Sequence, residues 1–106
     1  MPQYLYRFGY ETPEQAASNA ANGLDDEDSE AVFIDAESSQ QALEWGREIS
    51  EHFIRQLYEN SEISWLRRNF AHWIEEHPET KFTADVLGSL LRVRYGQHPD
   101  FFQLRR

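Results

Sequence analysis

The residues best suited to chemistry in this 106-residue chain begin with a dense run of carboxylates at residues 25–30. Carboxylate oxygens at this density are ligands that Ca²⁺ accepts. Asp26, Asp28 and Glu30 have the spacing of the first three ligands of an EF-hand loop, but the sixth position is Ala31, where that loop needs glycine. The run therefore predicts a solvated acidic loop rather than a calcium site.

Two smaller groups of side chains could support metal or acid–base chemistry. His72 and Glu76 are four residues apart, a spacing that on a helix offers two ligands to zinc, and Asp35 lies near Glu37 where paired carboxylates could act as acid and base. The chain has no cysteine, no Gly-x-Ser-x-Gly elbow and no glycine-rich phosphate loop. We therefore predict no catalytic residue, no metal ligand and no cofactor, and keep an enzyme built on these four residues as the third interpretation.

The N-terminal segment predicts a strand followed by a helix. Aromatic residues at positions 4, 6, 8 and 10 recur with a period of two, which indicates a strand over 3–10 with four rings on one face. Thr12 and Gln15 form a capping box that opens a helix over 13–22, and Gly23 is placed to end it. The apolar face of this helix consists of alanines, so we expect it to dock closely.

A second strand and a longer helix follow the acidic run. Residues 31–36 are a short apolar stretch typical of a buried strand. Ser38, with Gln41, predicts the start of a helix over 39–59 whose apolar stripe includes Ile49 and Phe53. Its solvent face is predicted to carry Glu44, Arg47, Glu48, Glu51 and Arg55.

The remainder of the chain predicts two further helices. Apolar spacing indicates one over 65–76, ended by Pro78, and Thr83 is placed to cap another over 84–95. Residues 91–95 also alternate like a strand, so a third strand near the C-terminus competes with the last helical turn. The whole chain is long enough for one domain, and we predict a small α+β domain that starts β-α-β-α and continues with two helices.

The charge of the chain is strongly asymmetric. Residues 1–66 carry fourteen acids against three bases, whereas residues 67–106 carry seven bases against five acids, and the total is −9. Such a surface repels phosphate backbones and attracts basic partners, so nucleic-acid binding is disfavoured. An exception would be a contact through Arg92, Arg94, Arg105 and Arg106.

These observations favour a non-catalytic, acidic interaction domain that binds a basic protein partner. Trp65, next to two arginines, has the composition of a binding hot spot. A self-assembling structural domain, such as a homodimer through the first strand or the arginine-rich end, is the second interpretation. The predicted partner-binding residues are Asp25, Asp26, Glu27, Asp28, Glu30, Glu44, Glu48, Glu51 and Trp65.

Location is predicted from hydropathy and from the first residues. No stretch approaches the length of a membrane-spanning helix, and the mean hydropathy is −0.77. The first residues lack a basic segment followed by an apolar stretch, which argues against a secretory signal. We therefore expect no membrane association and a cytoplasmic location.

Overall fold

The structure, a computed structural model, describes residues 2–68 and 70–104. Within these residues the strands are β1 (Gln3–Tyr10), β2 (Asp28–Asp35), β3 (His72–Glu75) and β4 (Arg92–Arg94). The helices are α1 (Pro13–Asn22), α2 (Ser39–Tyr58), α3 (Pro78–Lys81), α4 (Ala84–Ser89) and α5 (Phe101–Leu104), with a 3₁₀ turn at Leu66–Arg68. No helix in the described part of the chain is long and apolar enough to cross a membrane.

The strands form one mixed sheet in the order β3-β1-β2-β4. β1 pairs antiparallel with both β2 and β3, and β2 pairs parallel with β4. Helices and a mixed sheet in one compact unit confirm the predicted α+β class. β1 is therefore an inner strand, and both of its edges are already paired.

The aromatic face of β1 and the apolar stripe of α2 build the main core. Tyr6, Phe8 and Tyr10 are at most 1% exposed and pack with Ile49 and Phe53 of α2. The rings of Tyr10 and Phe53 meet edge to face at 4.8 Å between centroids. The predicted strand over 3–10 and its aromatic face are confirmed, and the long helix is the element that covers the rings.

The opposite face of the sheet has a smaller core. Leu5, Ala31 and Phe33 are buried there beneath apolar side chains of the α3–α4 segment. Arg7 also lies on this face, with its guanidinium 4.9 Å from the ring centroids of both Trp73 and Phe82. The Arg7 guanidinium also forms an ion pair with Glu75 at 3.0 Å, which balances its positive charge.

α1 has the predicted bounds and caps, but its predicted close docking is wrong. The Thr12–Gln15 capping box is present, and Gly23 ends the helix at a φ of 64°. Three of its alanines are exposed, and its buried residue is Asn19. Because β1 and β2 are antiparallel, α1 connects two strand ends at the same end of the sheet and does not cross a sheet face.

The second predicted strand is longer than expected. β2 begins at Asp28, so Asp28, Ser29 and Glu30 pair with β1 and are not loop residues. These polar and charged residues belong to a strand because their backbone groups pair with β1, while the side chains of Asp28 and Ser29 stay exposed. The following helix is confirmed: Ser38 accepts a hydrogen bond from the Gln41 amide, and α2 extends to Tyr58.

The predicted helix over 65–76 is wrong. The chain makes the 3₁₀ turn at Leu66–Arg68 and then the strand β3, which pairs with the edge of β1. The local sequence matches a helical spacing at Phe70, Trp73 and Ile74. Without β3, however, β1 would be an edge strand, and its backbone N–H and C=O groups on that side would lack hydrogen-bond partners. Pro78 begins α3 instead of ending a helix.

The C-terminal region resolves the predicted competition between helix and strand. Thr83 caps α4 as predicted, but α4 ends at Ser89 and not at residue 95. Residues 92–94 form β4, so a strand near the C-terminus is present. Gly96 follows at a φ of 90°, a turn conformation that L-residues rarely adopt.

Two glycine-to-alanine changes test the packing of α2 on β1. A Cβ at Gly46 would lie 2.3 Å from the Tyr6 ring, whereas a Cβ at Gly88 of α4 meets no atom within 4 Å. Gly46→Ala should lower the free energy of unfolding by about 1–3 kcal/mol through overpacking, and Gly88→Ala should raise it by about 0.4–1 kcal/mol through reduced backbone entropy. Urea denaturation of both variants measures the two signs. A neutral Gly46→Ala would contradict the close approach.

Candidate functional site

The acidic residues at the start of β2 lie together at one end of the sheet. Asp25, Asp26 and Glu27 are exposed in the α1–β2 connection, and Asp28 is the exposed first residue of β2. We call these four residues the acidic end. None of their carboxylates has an ion-pair partner among residues 2–68 and 70–104. The acidic end is therefore a concentrated negative surface.

Asn19 holds the backbone of the acidic end in place. Its side chain is 8% exposed, its Nδ2 donates to the Asp26 carbonyl at 2.7 Å, and its Oδ1 accepts from the Asp26 amide at 3.2 Å. Nδ2 also donates to the carboxylate of Glu11, which pairs with Arg68 at 3.0 Å. This two-way bond to one residue fixes the loop conformation although its carboxylates repel one another. Sequence reasoning missed Asn19, because an asparagine within an alanine-rich helix carries no local signal.

Glu30 is part of the same run but has a different environment. It is half-buried on β2 and accepts a hydrogen bond from the Tyr10 hydroxyl at 2.6 Å. Its carboxylate thereby links the acidic strand to the aromatic face of β1.

Glu44 and Glu48 are exposed on α2 as predicted, but they lie apart from the acidic end. α2 starts just after the opposite end of β2, and its last residue, Tyr58, bonds the Glu11 carbonyl near the acidic end. Glu44 precedes Tyr58 by fourteen helical residues, which corresponds to roughly 20 Å at 1.5 Å per residue. The structure thus places the predicted acidic surface in two separate areas.

Glu51 does not lie on the predicted solvent face of α2. It is 7% exposed and accepts hydrogen bonds from Ser64 Oγ at 3.0 Å and the Leu66 amide at 2.8 Å, while Arg55 pairs with its other oxygen at 3.2 Å. The segment at residues 64–66 folds over this side of α2, since the helix predicted to start there does not form. Glu51 is therefore a structural clamp and not a contact for a partner.

Trp65 is likewise interior. It is 1% exposed, its Nε1 donates to the Gly9 carbonyl at 2.8 Å, and its ring packs edge-on against Phe8 at 6.1 Å. The prediction that Trp65 lies at an interface is wrong, because the irregular segment that replaces the predicted helix inserts this ring into the core.

The residues of the enzyme interpretation do not converge. His72 is on β3, where its ring contacts Arg47 and Trp65, so the helical spacing with Glu76 does not exist. Asp35 accepts from Gln3 at 3.3 Å. Within the described residues no group of three or more histidine, aspartate or glutamate side chains is placed to hold a metal ion.

The arginines of the nucleic-acid alternative are only partly described. Arg92 is exposed, bonds Gln3 at 2.6 Å and stacks over Phe33 at 4.5 Å. Arg94 is exposed on β4. Arg105 and Arg106 lie outside the described residues.

An aromatic and histidine cluster joins α2 to the segment after β4. Trp45 donates to the Gln97 carbonyl at 2.7 Å, and the His98 ring lies 4.9 Å from Trp45 and 4.4 Å from His52. Partial burial and the neighbouring His52 lower the pKa of His98 below the usual 6.5, while the carboxylate of Glu48 acts in the opposite direction.

A groove lies between α2 and α5, close to this cluster. Its volume is about 220 Å³, and its lining is mostly apolar. The lining residues are Phe53, Gln56, Leu57, Glu59, Phe101 and Phe102. A second, larger depression of about 720 Å³ lies beside β3 and has polar and apolar groups in its lining. Neither groove was found from the sequence, because each is formed by segments far apart in the chain.

Comparison of the chain with protein-family models, with curated proteins and with solved structures found no match in any of the three.

Two glutamates one helical turn apart on α2 have different environments: Glu51 is buried and hydrogen-bonded, whereas Glu48 is exposed. Glu51→Ala leaves the Leu66 amide and Ser64 hydroxyl without their acceptor and should lower the free energy of unfolding by about 1–3 kcal/mol. Glu48→Ala, at an exposed position, should change it by less than about 0.5 kcal/mol. Chemical denaturation of both variants makes the comparison, and equal effects would contradict the clamp.

The His98 environment predicts a pH effect on stability. A histidine whose pKa is lowered in the folded state binds fewer protons there than in the unfolded chain, so stability falls as the pH drops below about 6.5. His98→Gln should reduce this fall. An NMR titration of the imidazole carbons measures the group directly, and a His98 pKa at or above 6.5 would contradict the described packing.

Proposed function

We propose that this chain is a non-catalytic protein-interaction domain whose acidic end binds a basic protein partner. The observation that carries the proposal is the Asn19 bond pair, which holds the four-carboxylate segment in a fixed conformation. A disordered acidic loop would need no buried asparagine bound to its backbone.

A fixed cluster of like charges favours a cationic partner for two physical reasons. The carboxylates of the acidic end repel one another, and that repulsion is relieved when lysine or arginine side chains approach. The loop loses little conformational freedom on binding, because Asn19 has already ordered it, so less of the interaction free energy is lost to ordering.

The overall charge supports the same partner class. The chain carries a net charge of −9, and within the described residues the arginine ion pairs involve three of its acidic side chains, those of Glu75, Glu51 and Glu11. Long-range attraction therefore favours a basic protein and speeds association, with an effect that falls as salt increases.

The test is affinity capture on matched variants. The acidic-end variant Asp25→Asn/Asp26→Asn/Glu27→Gln/Asp28→Asn is compared with Glu62→Gln/Glu76→Gln/Glu79→Gln/Asp85→Asn, which removes the same charge at exposed positions elsewhere. The wild type and the control should retain a basic protein from the source cells at about 0.05 M salt and release it at about 0.5 M, whereas the acidic-end variant should not retain it.

A further variant separates the charge from its fixed geometry. Asn19→Ala keeps all four carboxylates but removes the bonds to Asp26, so binding should weaken while its salt dependence stays the same. Equal loss of binding in both charge variants would show a general charge effect and contradict a site at the acidic end. Retention of only the same chain would favour self-assembly instead.

A further inference from the structure

We infer that the groove between α2 and α5 receives a bulky apolar side chain of the basic partner, so that the partner presents an apolar residue among lysines or arginines. This inference rests on the proposed function, because it takes the acidic end as the site of the basic residues. It adds an anchor to what is otherwise an electrostatic contact.

The groove has the shape and lining of an anchor site. Phe53 forms its floor at 2% exposure, and Leu57 is half-buried beside it. Phe102 is 88% exposed, although its neighbours Phe101 and Leu104 pack against the core. A volume of about 220 Å³ suffices for one aromatic side chain, since a cavity of about 150 Å³ accommodates benzene. Covering the exposed Phe102 ring would remove apolar surface from water.

The floor of the groove is linked to the acidic end through the core. Phe53 contacts the ring of Tyr10 at 4.8 Å between centroids, and the cross-strand partner of Tyr10 is Asp28. The Tyr10 hydroxyl also donates a hydrogen bond to Glu30, which lies on the same face of β2 as Asp28. One buried aromatic side chain thus lies between the groove floor and the strand that begins with Asp28, and we take the groove and the acidic end as neighbouring contacts for one partner.

Charge complementarity selects the occupant. Among residues 2–68 and 70–104, the charged residue in the groove lining is Glu59, and no lysine or arginine of that part of the chain lines it. An acidic segment would be repelled by Glu59 and by the acidic end, and a second copy of this chain has a net charge of the same sign, −9 in total. A basic segment with one large apolar residue gains from both surfaces.

Selection from a displayed library of random peptides tests this chemistry without a known partner. Peptides retained by the wild-type protein should share a tryptophan, phenylalanine or leucine flanked by lysine or arginine. Enriched peptides that lack the basic residues would overturn the proposed function as well as the inference. Basic peptides without a shared apolar residue, or no enrichment at all, would overturn the inference.

Matched variants then place the apolar residue of the enriched peptide. Phe102→Ala should weaken its binding about tenfold or more, whereas Val86→Ala, a 41% exposed apolar residue on α4, should leave it within about twofold. Phe102 is exposed, so its replacement should preserve the fold, and the circular dichroism spectrum checks this.

The outcomes distinguish the inference from the proposed function. Loss of binding in the acidic-end variant but not in Phe102→Ala would leave the proposed function in place and overturn the groove as the anchor site. Size-exclusion chromatography adds an independent outcome: a dimer of the wild type that Phe102→Ala converts to a monomer would assign the groove to a second copy and overturn the inference.

Discussion

The contact of the Tyr6 ring with the backbone of α2 at Gly46 sets the distance between the sheet and its main covering helix. A Cβ at position 46 would overlap the ring, so the close approach exists because that residue is glycine. The Tyr6 hydroxyl reaches past it to Ser50 Oγ at 2.7 Å, and Ser50 in turn donates to the Gly46 carbonyl at 3.0 Å. Burial raises the pKa of Tyr6, so the phenol stays neutral and keeps its hydrogen bond. This hydrogen-bonded contact fixes the position of α2 along β1 as well as the distance of α2 from the sheet.

The position of α2 decides where the two candidate surfaces lie. With Tyr6 under Gly46, Phe53 reaches Tyr10 near the end of β1, and the C-terminal half of α2 extends toward the start of β2. There it meets α5 and forms the groove, beside the strand that begins with Asp28. On the opposite flank of α2, the Glu51 hydrogen bonds and the buried Trp65 hold residues 64–66 against the helix. A core contact thus places an apolar groove next to a negative surface.

The parts of the fold that depend on neighbours in the chain were predictable. Thr12, Ser38 and Thr83 act as N-caps, and the aromatic period of β1 is confirmed, because both signals are local. The helix predicted over 65–76 failed because the free edge of β1 competed for that segment, and no local pattern encodes that demand. Trp65 and Glu51 were predicted to be exposed for the same reason, because their burial depends on the path of residues 64–66. The groove depends on the packing of α5 against α2, and no local sequence pattern indicates that these two helices are in contact.

The most direct test of this account is amide-shift mapping by NMR with the peptide Lys-Lys-Trp-Lys-Lys as the probe. The account predicts that the peptide shifts amides of residues 25–28 and of residues 101–104 in the same titration, and leaves those of α4 unchanged. Shifts confined to residues 25–28 would leave an acidic surface without an anchor. Shifts centred on α4, or spread evenly over the exposed residues, would contradict the central claim that the acidic end and the groove form one binding surface.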